Sequence, residues 1–149
     1  MLVQDTPGAI GYTEYAYASQ NGLSMAAIRS AGGHFVPPTI EATMAAADAA
    51  LASVPDISDL KLSLINQPHE AAYPIASFSW LLVYEQQTDT MKARKLADFI
   101  RWAVTEGDDQ ARALEYAPIP PKLVNIVLER LDRISPPDSV SSDSGALTP

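Results

Sequence analysis

Short apolar runs alternate with stretches of helical periodicity in the first half of the chain, and helical periodicity takes over in the second. Residues 9–12 form an apolar run opened by Pro7 and Gly8, the pattern of a short buried strand. Residues 14–20 read as one or two helical turns, ended by Asn21 and Gly22, a turn or C-cap pair. Residues 25–28 predict a second strand. Ala31, Gly32 and Gly33 open a loop that Pro37 and Pro38 close, with residues 34–36 extended between them.

Residues 39–53 predict a helix. Thr39 caps it, Glu41 answers the helix dipole in the first turn, and Ile40, Met44, Ala47 and Leu51 share one face. Val54 and Pro55 stop it. Residues 61–65 alternate weakly as a further strand, followed by a polar turn over 66–70. Residues 76–84 give a longer strand. Ser77 and Ser79 oppose Phe78 and Trp80 in its first part, and Leu81, Leu82, Val83 and Tyr84 make the second part apolar on both faces, as in a sheet covered on both sides. Residues 88–104 predict a helix with Leu96, Phe99, Ile100 and Ala103 inward and Lys92, Arg94 and Lys95 towards solvent. A shorter helix over 106–114 follows the Glu106-Gly107 break. After a rigid turn over 118–121, Leu123, Val127, Leu131 and Ile134 mark a last helix, with Pro121 at its first position. Residues 135–149, rich in Ser, Pro and Asp, read as a disordered tail.

Composition narrows the picture. The 149 residues are 47% hydrophobic and 19% charged, a globular balance, with a formal net charge of −8. No basic stripe is available to neutralise phosphates, which argues against nucleic acid as a partner. The charge is uneven. Residues 1–74 carry Arg29 and Lys61 against seven acids, whereas residues 75–134 carry eight bases against nine. That asymmetry predicts two structural units. With no cysteine, disulfides, thiolate metal sites and cysteine nucleophiles are excluded. No apolar stretch reaches the roughly 20 residues that span a bilayer, and the N-terminus lacks the basic and apolar regions of a signal peptide.

Candidate chemistry is sparse. His34 and His69 lie 35 residues apart with no ligand at metal spacing. His69, beside Glu70 and near Ser77 and Ser79, lacks the Gly-x-Ser-x-Gly elbow of a nucleophilic site, so both histidines read as loop residues. Asp108 and Asp109 open a helix and answer its dipole rather than form an acid–base pair. Gly32 and Gly33 lack phosphate-loop spacing and read as a turn. Tyr12, Tyr15 and Tyr17 offer stacking surfaces but read as packing residues. No residue is assigned as catalytic, cofactor-binding or metal-ligating, and no enzyme motif is present.

Three ordered stretches carry a resemblance. Pro7-Gly-Ala-Ile-Gly-Tyr12 with Glu14-Tyr-Ala-Tyr-Ala18 resembles the segment PGAIGYvEYAYA of the phosphate-binding protein family of bacterial phosphate-specific ABC transporters. Asn66-Gln-Pro leading to Ala72-Tyr-Pro-Ile75 resembles that family's NQ…aYPI stretch. Ala97-Asp-Phe-Ile-Arg-Trp-Ala103, Thr105-Glu-Gly107 and Leu114-Glu-Tyr-Ala-Pro-Ile-Pro120 are similar to its FLkWAlTEGQ…lgYApLP run. The resemblance covers residues 3–134.

It implies an α/β periplasmic-binding-protein type II fold with two lobes, present here as its C-terminal half. On that view residues 1–74 belong to the second lobe, residues 75–134 return to the first, and residues 135–149 are a tail. The implied function is substrate binding for an ABC importer of inorganic phosphate, with permease subunits as partners, no cofactor, and a periplasmic or extracytoplasmic location. The missing signal peptide then points to a missing N-terminal part. The family's phosphate ligands, including an arginine with a Gly-Ser-Gly-Thr run, match no position in this chain, and Arg29 is not in that context. No phosphate ligand is therefore carried over. Two other readings stand beside this one: a non-catalytic interaction module, and a binding protein for another oxyanion such as sulfate or molybdate.

Overall fold

A computed structural model describes residues 2–54, 57 and 60–134. The elements run α1 (Leu2–Asp5), α2 (Tyr15–Gln20), β1 (Ile28–Arg29), β2 (Phe35–Val36), α3 (Ile40–Ser53), α4 (Thr90–Thr105), α5 (Asp108–Ala113) and α6 (Pro121–Leu131). The expected tail over 135–149 and the expected stop at Pro55 lie outside the described residues.

β1 and β2 form an antiparallel hairpin in which Ile28 faces Val36 and Arg29 faces Phe35. The first pair turns inward and the second outward, as the two-residue period requires. The hairpin tip packs on the 66–72 turn, where buried Ser30 donates its hydroxyl to the Glu70 carbonyl at 3.4 Å. A Cβ on Gly32 would stand 2.7 Å from the Glu70 Cα, so this approach requires a residue without one. The Gly32-Gly33 pair is thus the expected turn, with Gly33 at a φ of +89°.

α3 begins where expected. Thr39 Oγ1 accepts the Ala42 N–H at 3.1 Å and satisfies a donor that the helix leaves orphaned. Its buried face is Ala42, Ala46, Ala47, Ala50 and Leu51, turned from the expected Ile40–Met44 side, although Ala47 and Leu51 belong to both. The cause is the small side chains. Alanines let residues 62–76 lie close against the helix, and Leu64, Ala72 and Ala76 complete that cluster. The Tyr73 N–H donates to the Ala42 carbonyl at 3.1 Å across the same contact. Leu51, Ile57 and Leu123 form a second cluster, joining the end of α3 to α6.

Among the described residues the only sheet is the β1–β2 pair, which corrects several strand expectations. Residues 9–12 are irregular, with Ile10 96% exposed rather than buried. Residues 25–28 contribute only Ile28 to a strand. Residues 61–65 keep their alternation, with Leu62 half-buried and Leu64 buried between exposed Lys61, Ser63 and Ile65, but join no ladder. Residues 76–84 alternate as far as Ser79. Beyond it Trp80, Leu81, Leu82 and Tyr84 are exposed, not covered on both faces. Alternation fixes which side chains turn inward, but a ladder also needs a neighbouring strand, and among the described residues none pairs with these segments.

The second half is helical as expected. Asp89 caps α4, its Oδ1 accepting the N–H groups of Met91 at 2.8 Å and Lys92 at 3.0 Å. Ala93 and Ile100 are buried and Leu96 is half-buried. Phe99, expected inward, is instead exposed beside Trp102, their ring centroids 6.1 Å apart. α4 packs against α6 and, less extensively, against α5, and Phe99 lies outside what they cover. Pro121 opens α6 as expected, and Leu123 and Leu131 are buried on it.

Candidate functional site

A polar-rimmed groove lies where the first 74 residues meet the remainder. Its walls come from the start of α2 (Thr13, Glu14, Tyr15), the outer face of α3 (Ile40, Thr43, Met44), residues 75–79 and the α5–α6 linker (Glu115 to Pro120). It holds about 510 Å³. Ile40 and Met44, displaced from the core face of α3, form part of its floor.

Hydrogen bonds close one side of it. Tyr116 Oη donates to Glu14 Oε2 at 3.2 Å, and Ser19 Oγ donates to Glu115 Oε1 at 3.1 Å. The Tyr15 phenol stands beside the same Glu115 carboxylate. Burial and the adjacent Glu115 carboxylate push the Tyr15 phenol above its ordinary range. The hydrogen bond to Glu14 and that group's charge do the same for Tyr116. Both phenols are therefore donors at neutral pH. Nearby, Arg112 reaches Glu41 at 3.7 Å and the Met44 sulfur at 3.4 Å.

The charged groups on the groove wall are two carboxylates, Glu14 and Glu115. An anion seated there meets like charge, so the groove as built is suited to polar or apolar packing, not to holding phosphate. A second groove of about 280 Å³ runs along residues 78–85 between α4 and α6. Phe78, Trp80, Ile100, Leu123 and Val127 line it, and Glu85 and Arg133 pair across it at 3.9 Å. It is predominantly apolar.

The structure brings only some of the sequence-derived candidates together: Tyr15, Ser77 and Ser79 line the first groove, and His34 and Glu70 line a separate one. His34 sits at the hairpin tip, and His69 lies in the following turn, where its Nδ1 accepts the Ala71 N–H at 3.2 Å. Both are exposed loop residues. Asp108 and Asp109 occupy the first turn of α5. Tyr12 is fully exposed, Tyr15 reaches Glu115, and Tyr17 lies exposed on α2. Sequence reasoning passed over Glu115, whose signal is visible in hindsight: the triplet Glu-Tyr-Ala occurs at both 14–16 and 115–117. Among the described residues no group of three or more His, Asp or Glu side chains is placed to hold a metal ion. No described helix is long and apolar enough to cross a membrane.

Comparison with known proteins fits the α/β pattern of the chain. The phosphate-binding protein PstS of Xylella fastidiosa (strain 9a5c) is 39% identical over 122 residues, covering 82% of this chain and 33% of that protein. The phosphate-binding protein PstS of Methanocaldococcus jannaschii is 35% identical over 143 residues, covering 89% and 36%. That of Haemophilus influenzae is 34% identical over 119 residues, covering 80% and 35%. The chain thus spans about a third of the length of the curated relatives it matches. A family model described as a PBP superfamily domain matches residues 1–106, well over half of the chain, and the chain belongs to that superfamily.

Proposed function

We propose that this chain supplies the C-terminal portion of the phosphate-binding component of an ABC importer, which holds inorganic phosphate between two lobes and passes it to permease subunits outside the cytoplasm. The observation that carries this reading is similarity to phosphate-binding proteins along 80% or more of the chain. The role is binding and delivery, without bond making or breaking.

Residues 1–74 are assigned to the second lobe and residues 75–134 to the return into the first. The uneven charge and the change from mixed to helical structure near residue 75 support that division. In this reading the chain is scaffold. Its groove presents carboxylates, and the anion-holding groups come from the two thirds of the relatives' length that it does not span. Ile10, Leu81, Leu82 and Tyr84 are then sheet positions that this remaining part covers.

Calorimetry tests both halves of the reading. The 149-residue chain alone is expected to give no micromolar heat signal with inorganic phosphate. Co-expressed with the unmatched part of the Xylella fastidiosa relative, it is expected to co-purify and bind phosphate in preference to sulfate and molybdate. Micromolar binding by the chain alone overturns the scaffold role. A reconstituted pair that prefers sulfate or molybdate overturns the phosphate assignment.

A further inference from the structure

Two hydrogen bonds tie the α2 segment to the distant α5–α6 linker: Tyr116 donates to Glu14 at 3.2 Å, and Ser19, on α2 itself, donates to Glu115 at 3.1 Å. Glu14 is the N-cap residue of α2 but makes no side-chain cap hydrogen bond, so its carboxylate is turned outward to Tyr116 instead.

The backbone at Glu115 adds an independent observation. Its φ is +66°, the left-handed region. The Glu115 N–H donates to the Arg112 carbonyl at 3.0 Å and the Tyr116 N–H to the Ala111 carbonyl at 2.8 Å. That is the paired 5→2 and 6→1 closure of a Schellman motif, whose left-handed residue is ordinarily glycine. A side chain at that position costs backbone energy and persists only where its surroundings hold it. Here Ser19 holds the Glu115 side chain.

We propose that Glu14, Ser19, Glu115 and Tyr116 form a two-point latch that fixes the angle between the α2 segment and the α5–α6 linker, and so between the two units of the chain. The inference rests on the two-lobe reading, since only then does the latch span the joint at which the lobes move. The pairs lie on the rim of the groove where residues 75–79 pass from one unit to the other. With both pairs made, that rim is closed on the Glu14 side. With both broken, α2 is held mainly by its buried Ala16 and Ala18 methyls and swings about its ends.

The chain has no cysteine, so two labels can be placed without background. Spin labels at Gln20→Cys on α2 and Asp109→Cys on α5 report the angle as a distance distribution. In the otherwise unchanged chain a single narrow population is expected. Ser19→Ala with Tyr116→Phe is expected to add a longer-distance population while the far-UV helix signal stays constant. Glu115→Gln keeps an acceptor oxygen and is expected to stay narrow. Glu115→Gly is the sharpest arm, because it relieves the left-handed backbone while removing the carboxylate. A purely structural turn predicts a narrow distribution and a more stable chain, whereas a latch predicts broadening. A narrow distribution in Glu115→Gly overturns the proposal, and does so even if the double variant fails to fold. The calorimetric outcome above is independent of this result.

Discussion

Gly107 sits under the last turn of α4, where a Cβ would stand 2.5 Å from the Ala103 carbonyl oxygen. Its φ of −84° is open to any residue, so the constraint is space and not backbone hand. The tight contact lets the chain turn from α4 into α5 within two residues. Gly107→Ala must move backbone against backbone. A loss of about 1–3 kcal/mol in urea unfolding is expected, the usual scale of overpacking. An unchanged midpoint would show that the α4–α5 junction yields freely.

Much of the local structure was legible from residue order alone. Thr39, Asn21, Gly33 and Pro121 each act within a few residues of themselves, and each does what its chemistry predicts. The strands were not legible as strands, because residues 61–65 and 76–84 satisfy only half of the requirement. Their alternation is local, but a ladder needs a partner supplied from elsewhere. The inward side of α3 was misplaced for a related reason. Ile40 and Met44 are the more hydrophobic, yet alanines permit closer approach, and closeness decided the packing. The latch joins positions 96 and 102 residues apart, and no local pattern at either segment shows that the two meet.

Leu123 is one of the residues that hold the two halves together through apolar contact. It is buried against Leu51 and Ile57, with Val54 and Ile126 around it. Leu123→Ala removes three carbons from a site bordered by half-buried neighbours that can collapse inward. A loss of about 2–3 kcal/mol is expected, at the low end for buried leucine. The measurement is thermal unfolding followed at 222 nm, with Leu114→Ala as control. Leu114 is exposed, and its variant should unfold with the unchanged chain.

Alkaline pH should destabilise the chain. Tyr15 is raised chiefly by burial, Tyr73 by burial, and Tyr116 chiefly by its hydrogen bond to Glu14. A phenol raised in the folded state keeps its proton to higher pH there than in the unfolded chain. Its contribution is fully present below about pH 10, the unfolded value, and is lost as pH rises through the folded one. Urea midpoints should therefore be level from pH 7 to 9 and fall above pH 10. Phenolate absorbance at 295 nm should show tyrosines titrating later than free tyrosine. In Glu14→Gln the Tyr116 phenol loses a neighbouring negative charge, and its titration should move down towards the ordinary range.

The exposed edge over residues 80–84 has a consequence for the isolated chain. Leu82 is 97% exposed, and Trp80, Leu81 and Tyr84 are exposed around it on backbone that joins no sheet. Extended, apolar and unpaired segments recruit further strands, whether from the same chain or from a second copy. Concentration-dependent association by sedimentation is therefore expected, together with strong binding of an apolar dye. Leu82→Lys places a charge on that edge at a position with little packing to lose, so unfolding should shift by less than about 0.5 kcal/mol while association falls. The same substitution should weaken co-purification with the unmatched part of the relative, because the covering strand meets the same lysine. If association and dye binding persist unchanged in Leu82→Lys, residues 80–84 are not the surface that seeks a partner, and the apolar groove between α4 and α6 becomes the place to look.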